Sequence, residues 1–151
     1  MNKYFLDILY QLSHETGLKL FPDNNDACKL KMSNDFFIQL EMDPKADQII
    51  AFCKVVDLPI GKFRENVLKH ALVANEADEP FTGNLSFISK QGYLAIHQIL
   101  PLKGISPNFL LQTIIQMSLK AQDWKTALDS GRGGPNLIQT PPDAKRPLGL
   151  R

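Results

Sequence analysis

The sequence predicts an α+β fold: an antiparallel sheet with helices, in the order α-β-β-β-α-β-β-α. Three segments carry apolar residues at helical spacing, and the segments between them alternate apolar and polar residues as strands do. The strands come in groups of three and two and do not alternate one for one with helices, which argues against a doubly wound parallel sheet. A chain of 151 residues with 44% hydrophobic residues is long and apolar enough to form one packed core.

The first element, from about residue 2 to 19, is predicted to be an amphipathic helix that Gly17 ends. Its apolar positions follow helical offsets and are Tyr4, Phe5, Ile8, Leu9 and Leu12. Leu6 and Tyr10 widen this apolar face. A helix that is apolar on more than one side has more than one surface to cover.

Three strands are predicted next. Residues 28–32 and 36–42 each alternate with period two, and the polar link 33–35 between them suits a hairpin turn. Residues 48–56 are apolar on both faces, which predicts a strand inside the sheet. Together the three strands should form an antiparallel meander.

A second helix is predicted over residues 61–77, after Pro59 has ended the third strand. A second hairpin should follow, with strands over residues 81–89 and 93–100. Gly92 supplies the positive φ angle that its turn requires.

The last helix has the clearest start signal, because Ser106 can cap free amides and Pro107 suits the first helical position. Its apolar residues recur every three or four positions and are Leu110, Ile114, Met117, Ala121, Trp124 and Leu128. Gly131 should end it. The sequence therefore predicts a folded domain over residues 1–130 and a flexible, basic, Gly/Pro-rich tail over residues 131–151.

The charge balance excludes some classes of partner. The formal net charge is +1, which gives no support to nucleic-acid or anionic-membrane binding. No apolar run reaches the length of a membrane span, and polar residues interrupt the region where a signal peptide would be apolar. We therefore expect a cytoplasmic protein without membrane insertion.

The sequence contains little catalytic chemistry. Cys28 and Cys53 are too few for a disulfide scaffold or a zinc site, and we expect buried thiols in a reducing compartment. The histidines are His14, His70 and His97. None pairs with another at metal-ligand spacing, and the glycines of residues 131–134 lack the flanking strand and helix of a phosphate loop. We expect no cofactor, no metal and no enzymatic activity.

The order and spacing of several short features resemble a known family. In chain order they are Phe5, Leu9 and Leu12 in the first helix, Leu58-Pro59, Leu68, Leu72, Ala74-Asn75, Leu85, Phe87, Gly92-Tyr93-Leu94, Leu100-Pro101-Leu102, Trp124 and Leu128. Over residues 2–130 the chain resembles the small dimeric chaperones of bacterial type III secretion, the Tir-chaperone (CesT-type) family. Members are typically more acidic than this chain, and the basic tail is not part of the family core.

The resemblance implies a homodimer formed through the second helix and neighbouring strands. The candidate interface residues are Phe63, Val67, Leu68 and Ala71. The alternative is that this helical face packs on the sheet of its own chain, and one helix can do both. The sequence leaves both open.

The resemblance also implies a chaperone that binds the amino-terminal segment of secreted effectors and keeps it unfolded, soluble and export-competent without ATP. A cargo strand could extend the sheet edge, and apolar cargo side chains could fill grooves beside the first helix. The candidate cargo contacts are Phe5, Leu9, Leu12, Leu30 and Phe37. Ordinary core packing is an equal alternative for the three helical residues, whereas Phe37 falls on an otherwise polar strand face, beside Gln39 and Glu41.

Further candidate partners are the secretion ATPase and the export apparatus. Two other functions stay open at this point: a regulatory interaction module of the same fold, acting on a secretion component or regulator, and a small enzyme.

Overall fold

A computed structural model describes residues 2–45 and 47–135 of the chain. Its elements are α1 (Lys3–Thr16), β1 (Ala27–Lys31), β2 (Phe37–Asp43), β3 (Gln48–Asp57), α2 (Lys62–Ala77), β4 (Asn84–Ile88), β5 (Tyr93–Pro101) and α3 (Pro107–Asp129). This confirms the predicted α+β class and the order α-β-β-β-α-β-β-α.

The five strands form one antiparallel sheet in the order β1-β2-β3-β5-β4. β3 is the central strand, as its two apolar faces predicted. It pairs with β2 on one side, where Leu40 lies opposite Ala51, and with β5 on the other, where Cys53 lies opposite Ile96. β1 and β4 are therefore the two edge strands.

The hydrophobic core lies between one face of the sheet and the helices. β3 turns Ile49, Ala51, Cys53 and Val55 toward this core. α3 packs on the sheet and α1 packs on α3. On the opposite face of the sheet, Phe52 is only half-buried, so one side of an apolar central strand stays partly open.

Capping fixes the ends of α1 and α3 where the sequence predicted them. The Asn2 side chain accepts a hydrogen bond from Phe5 N at 3.1 Å, and Gly17 ends α1 with φ at 73°. Ser106 Oγ accepts from Phe109 N at 3.0 Å, with Pro107 as the first helical residue.

The fourth strand begins later than the sequence predicted. Residues 81–83 are loop and not strand, and Phe81 has a φ of 64° that a strand cannot contain. The Phe81 ring packs edge-on against Phe109 instead. Gly83 N donates to the buried Gln98 side chain at 3.1 Å, and this bond fixes the loop just before β4.

The predicted tail lies mostly outside the described residues, and its boundary stays a prediction. The first tail residues are still close to the helices. A Cβ atom placed on Gly134 would lie 3.2 Å from the Trp124 ring and 3.3 Å from His70 Cβ. The chain therefore passes over α2 and α3 as it leaves the last helix.

Candidate partner-binding surface

An apolar groove runs between α1 and the chain that follows it. Its volume is about 570 Å³, and its lining includes Leu6, Tyr10, His14, Leu18 and Phe21. Tyr10 and Phe21 in this lining are 65% and 72% exposed. Such exposure of neighbouring large apolar side chains is typical of a surface that binds a partner. We call this surface the α1 groove.

Local hydrogen bonds fix the path of the chain that forms one wall of the α1 groove. Gly17 reverses the chain, and Leu20 N then donates to Ser13 Oγ at 3.0 Å. Ser13 Oγ in turn donates to Leu9 O at 2.9 Å. The Leu20 side chain is buried by this path, whereas Leu18 and Phe21 on either side of it are exposed.

After Phe21, which lines the α1 groove, the chain continues into β1, whose outer edge is free. Asp23 N donates to Ala27 O at 2.8 Å, and Ala27 N donates to Asp23 Oδ1 at 3.1 Å, so the backbone of Ala27 faces away from β2. Alternate residues of an edge strand face the same way, so Lys29 and Lys31 present N–H and C=O groups on the open side. An extended peptide could pair with this edge.

The opposite edge of the sheet is partly covered by α2, which packs against β4. Asn75 of α2 accepts from Leu85 N and donates to Leu85 O, both at 2.8 Å. The Asn75 amide thereby occupies the positions that a neighbouring strand would use at Leu85. Of the two sheet edges, β1 is the one suited to strand addition.

The predicted cargo contacts occupy two different environments. Phe5, Leu9 and Leu12 are fully buried and Leu30 is nearly so, which places them beneath the surface as core residues of this chain. Phe37 is exposed, with Lys29 Nζ 5.4 Å from its ring centroid. The cargo role of these residues stays a prediction, and only Phe37 is already accessible.

Sequence reasoning partly missed the exposed residues. Leu6 and Tyr10 were visible as extra apolar positions on the first helix, and they do line the α1 groove. Leu18 and Phe21 lie in the connection after α1, where no periodicity marks them. The sequence indicated them only as two large apolar residues on either side of Leu20 in a short turn-rich segment.

The candidate interface residues on α2 also divide. Val67 and Ala71 are buried against their own chain, whereas Phe63 and Leu68 are partly exposed. Leu72 and Val73, outside the candidate set, are far more exposed at 71% and 68%. The helix thus packs on its own sheet and also presents apolar side chains to solvent, as the two alternatives allowed.

The two thiols are buried and poorly suited to reaction. Burial raises the pKa of Cys53 to about 12. Burial also raises the pKa of Cys28, with a hydrogen bond to the Phe21 backbone acting in the opposite direction. Among residues 2–45 and 47–135, no three His, Cys, Asp or Glu side chains are grouped to hold a metal ion. No helix in these same ranges is long and apolar enough to cross a membrane.

A family model described as the Tir chaperone protein (CesT) family matches residues 7–125. No curated protein shows significant sequence similarity to the chain. Solved structures that share the fold include the HopA1–SchA chaperone–effector complex, with a TM-score of 0.69 and 17% identity over 82% of this chain and 94% of that chain.

Two further structures show the same fold. The ExsC–ExsE complex matches with a TM-score of 0.67 and 16% identity, over 85% of this chain and 97% of that chain. The ExoT–SpcS complex from Pseudomonas aeruginosa matches with a TM-score of 0.61 and 17% identity, over 81% and 97% of the two chains.

Proposed function

Because the chain belongs to the Tir chaperone protein (CesT) family, we propose that it is a type III secretion chaperone. It binds the amino-terminal segment of one or more effectors and keeps that segment unfolded, soluble and export-competent. The observation that carries this proposal is an exposed apolar groove together with an open strand edge, joined by the short chain from Phe21 to β1. The similar HopA1–SchA structure is itself a chaperone–effector complex. No observation favours the regulatory module.

The two surfaces would hold an unfolded segment in complementary ways. Backbone hydrogen bonds to β1 bind any extended sequence, and the α1 groove selects apolar side chains. A segment bound in this way is extended, so it cannot form its own folded structure. Binding free energy offsets the cost of ordering the segment, and the proposal needs no nucleotide and no catalytic residue.

We also propose that the protein is a homodimer whose interface includes the exposed side of α2. Leu68 and Leu72 are one helical turn apart, and Val73 follows Leu72. An exposed apolar row of this kind is expected at a contact between two copies. Phe63 would extend the contact, while Val67 and Ala71 support it from the core.

The cellular setting follows from the same proposal. Effectors are bound before export, which places this chain in the bacterial cytoplasm. Delivery would bring the complex to the export apparatus and its ATPase, and the export machinery would then remove the chaperone.

Co-expression with the amino-terminal segment of an effector from the same locus tests the function. We expect the segment to become soluble and to co-purify with the chain. Replacing Tyr10 and Phe21 together by Glu should abolish this, because it puts two charges into the α1 groove. The matched control is Leu119→Glu, which changes an exposed apolar residue of α3 outside the groove. Equal solubilisation by both variants would contradict the proposal.

Light scattering tests the dimer separately. The wild-type protein should have twice the chain mass of 17.0 kDa, and a variant carrying Leu72→Glu and Val73→Glu should be monomeric. A wild-type monomer, or an unchanged dimer in the variant, would contradict the proposed interface.

A further inference from the structure

A second groove lies at one end of the sheet, where the turn before β2 meets the last part of β3 and the first residue of β5. Its volume is about 680 Å³. Its lining includes three lysines and four aromatic side chains: Lys29, Lys54, Lys125, Phe36, Phe37, Phe52 and Tyr93. We call it the sheet-end groove.

The groove exists because β2 is shorter than β3. Pairing between these strands ends at Gln39 and Phe52, whereas β3 continues to Asp57 and stays paired with β5. The turn before β2 bends toward α3, where Asn34 Nδ2 donates to Ser118 O at 3.0 Å. The last residues of β3 therefore form a short strand edge that opens into the groove.

The charge of the groove is positive although most of the chain is mildly acidic. Lys54 Nζ lies 4.8 Å from the Tyr93 ring centroid and 3.0 Å from Asp57 Oδ1. Lys29 Nζ lies over the Phe37 ring. Each ammonium group therefore lies beside an aromatic ring of the groove lining.

The carboxylates nearby form exposed pairs with lysines, as Asp57 does with Lys54 at 3.0 Å. Asp35, the acidic side chain in the lining, pairs with Lys31 outside it at 3.5 Å. Lys125 pairs with Asp129 at 2.8 Å on the exposed surface of α3. Exposed pairs of this kind are weak, so Lys54 and Lys125 can exchange their partners for a ligand carboxylate at little cost.

We propose that the sheet-end groove binds an extended, acidic peptide segment in which carboxylate side chains alternate with apolar ones. The apolar side chains pack on Phe37 and Phe52, the carboxylates pair with Lys29 and Lys54, and the segment's backbone pairs with the open end of β3. This inference rests on the proposed function, because the natural source of the segment is the bound effector. It adds a charge preference that an apolar groove and a strand edge do not provide.

Fluorescence anisotropy with three labelled peptides of equal length tests the groove directly. In each peptide Val alternates with one polar residue: Glu in the first, Gln in the second and Lys in the third. The Glu peptide should bind most tightly. A variant carrying Lys29→Glu and Lys54→Glu should weaken its binding about tenfold or more and should favour the Lys peptide.

The control variant carries Lys45→Glu and Lys103→Glu, which change the net charge equally at exposed positions at the opposite end of the sheet. Its affinity for the Glu peptide should stay within about twofold of wild type. Equal weakening in both variants would mean a general charge effect and would overturn the proposal. Equal binding of the Glu and Lys peptides to wild type would do the same, as would tighter binding of a single-stranded oligonucleotide than of the Glu peptide.

Failure of this inference and failure of the proposed function are distinguishable. A chain that solubilises an effector segment but shows no charge discrimination retains its function and loses the acidic-segment site. A chain that discriminates the peptides but solubilises no effector segment retains the site and loses the proposed function.

Discussion

Two leucines of α1 lie three residues apart and should respond in opposite ways to the same substitution. Leu9 is fully buried in the core, whereas Leu6 is 39% exposed and lines the α1 groove. Truncating a fully buried leucine to alanine costs about 2–5 kcal/mol, because apolar contacts are lost and a cavity remains. Truncating Leu6 removes atoms that are partly in water already, so its cost should be at most about 1 kcal/mol.

Urea unfolding measures this difference. With an m-value of about 2 kcal/mol per molar urea for a domain of this size, Leu9→Ala should lower the midpoint by about 1–2.5 M. Leu6→Ala should lower it by less than about 0.5 M. Both variants must be compared at one protein concentration, because the proposed dimerisation would contribute to apparent stability.

Binding of an effector segment should show the reverse order. Leu6→Ala removes part of the groove wall and should weaken binding several-fold, whereas Leu9→Ala should leave the affinity of the folded fraction close to that of wild type. Equal destabilisation by the two substitutions would refute the division of α1 into a core side and a binding side. Loss of binding with Leu9→Ala alone would also refute it.

Three further predictions concern stability and reactivity. Asn75→Ala should cost about 1–3 kcal/mol in urea unfolding, because it leaves Leu85 N–H and C=O without their partner, and light scattering should detect association through the opened β4 edge. Lys120 is 11% exposed and bonds Asp78 at 2.6 Å and Gly83 O at 2.7 Å. In urea unfolding, Lys120→Met should lower the free energy of unfolding by about 1–3 kcal/mol. Lys125→Met, which removes an exposed pair with Asp129, should lower it by at most about 0.5 kcal/mol. Cys53 should resist a thiol reagent in the native protein and react with it in urea. Burial raises the pKa of Cys53 to about 12, so from about pH 9 only the unfolded protein loses this proton. Urea titrations should therefore show the free energy of unfolding falling between about pH 9 and pH 12.

The sequence predicted the fold well because its periodic segments are clear. β3 is apolar at every position from Ile49 to Phe52, and it occupies the centre of the sheet. Ser106 and Gly17 act where their capping chemistry indicated. The error at the start of β4 has a physical cause, since Phe81 and Thr82 look like strand residues but contacts with Phe109 and Gln98 hold a loop there.

The binding surface was harder to predict for a different reason. Periodicity marks a helix face as apolar but does not tell which part the rest of the chain covers. Leu9 and Tyr10 are neighbours in an apolar helix, yet only Tyr10 is exposed. The outcome depends on the path of the chain through Leu18 and Phe21, which the Ser13–Leu20 hydrogen bond fixes and which no local pattern announces.

Hydrogen exchange on the complex with an effector's amino-terminal segment is the most direct test of the central claim. If the segment binds along β1 and in the α1 groove, it should slow exchange at Lys29 and Lys31 of β1 and around Leu18 and Phe21. Amides of β4, where Asn75 already bonds Leu85 and α2 packs alongside, should be unchanged. Protection confined to β4 and α2, with none along β1 or the α1 groove, would contradict the proposed mode of binding.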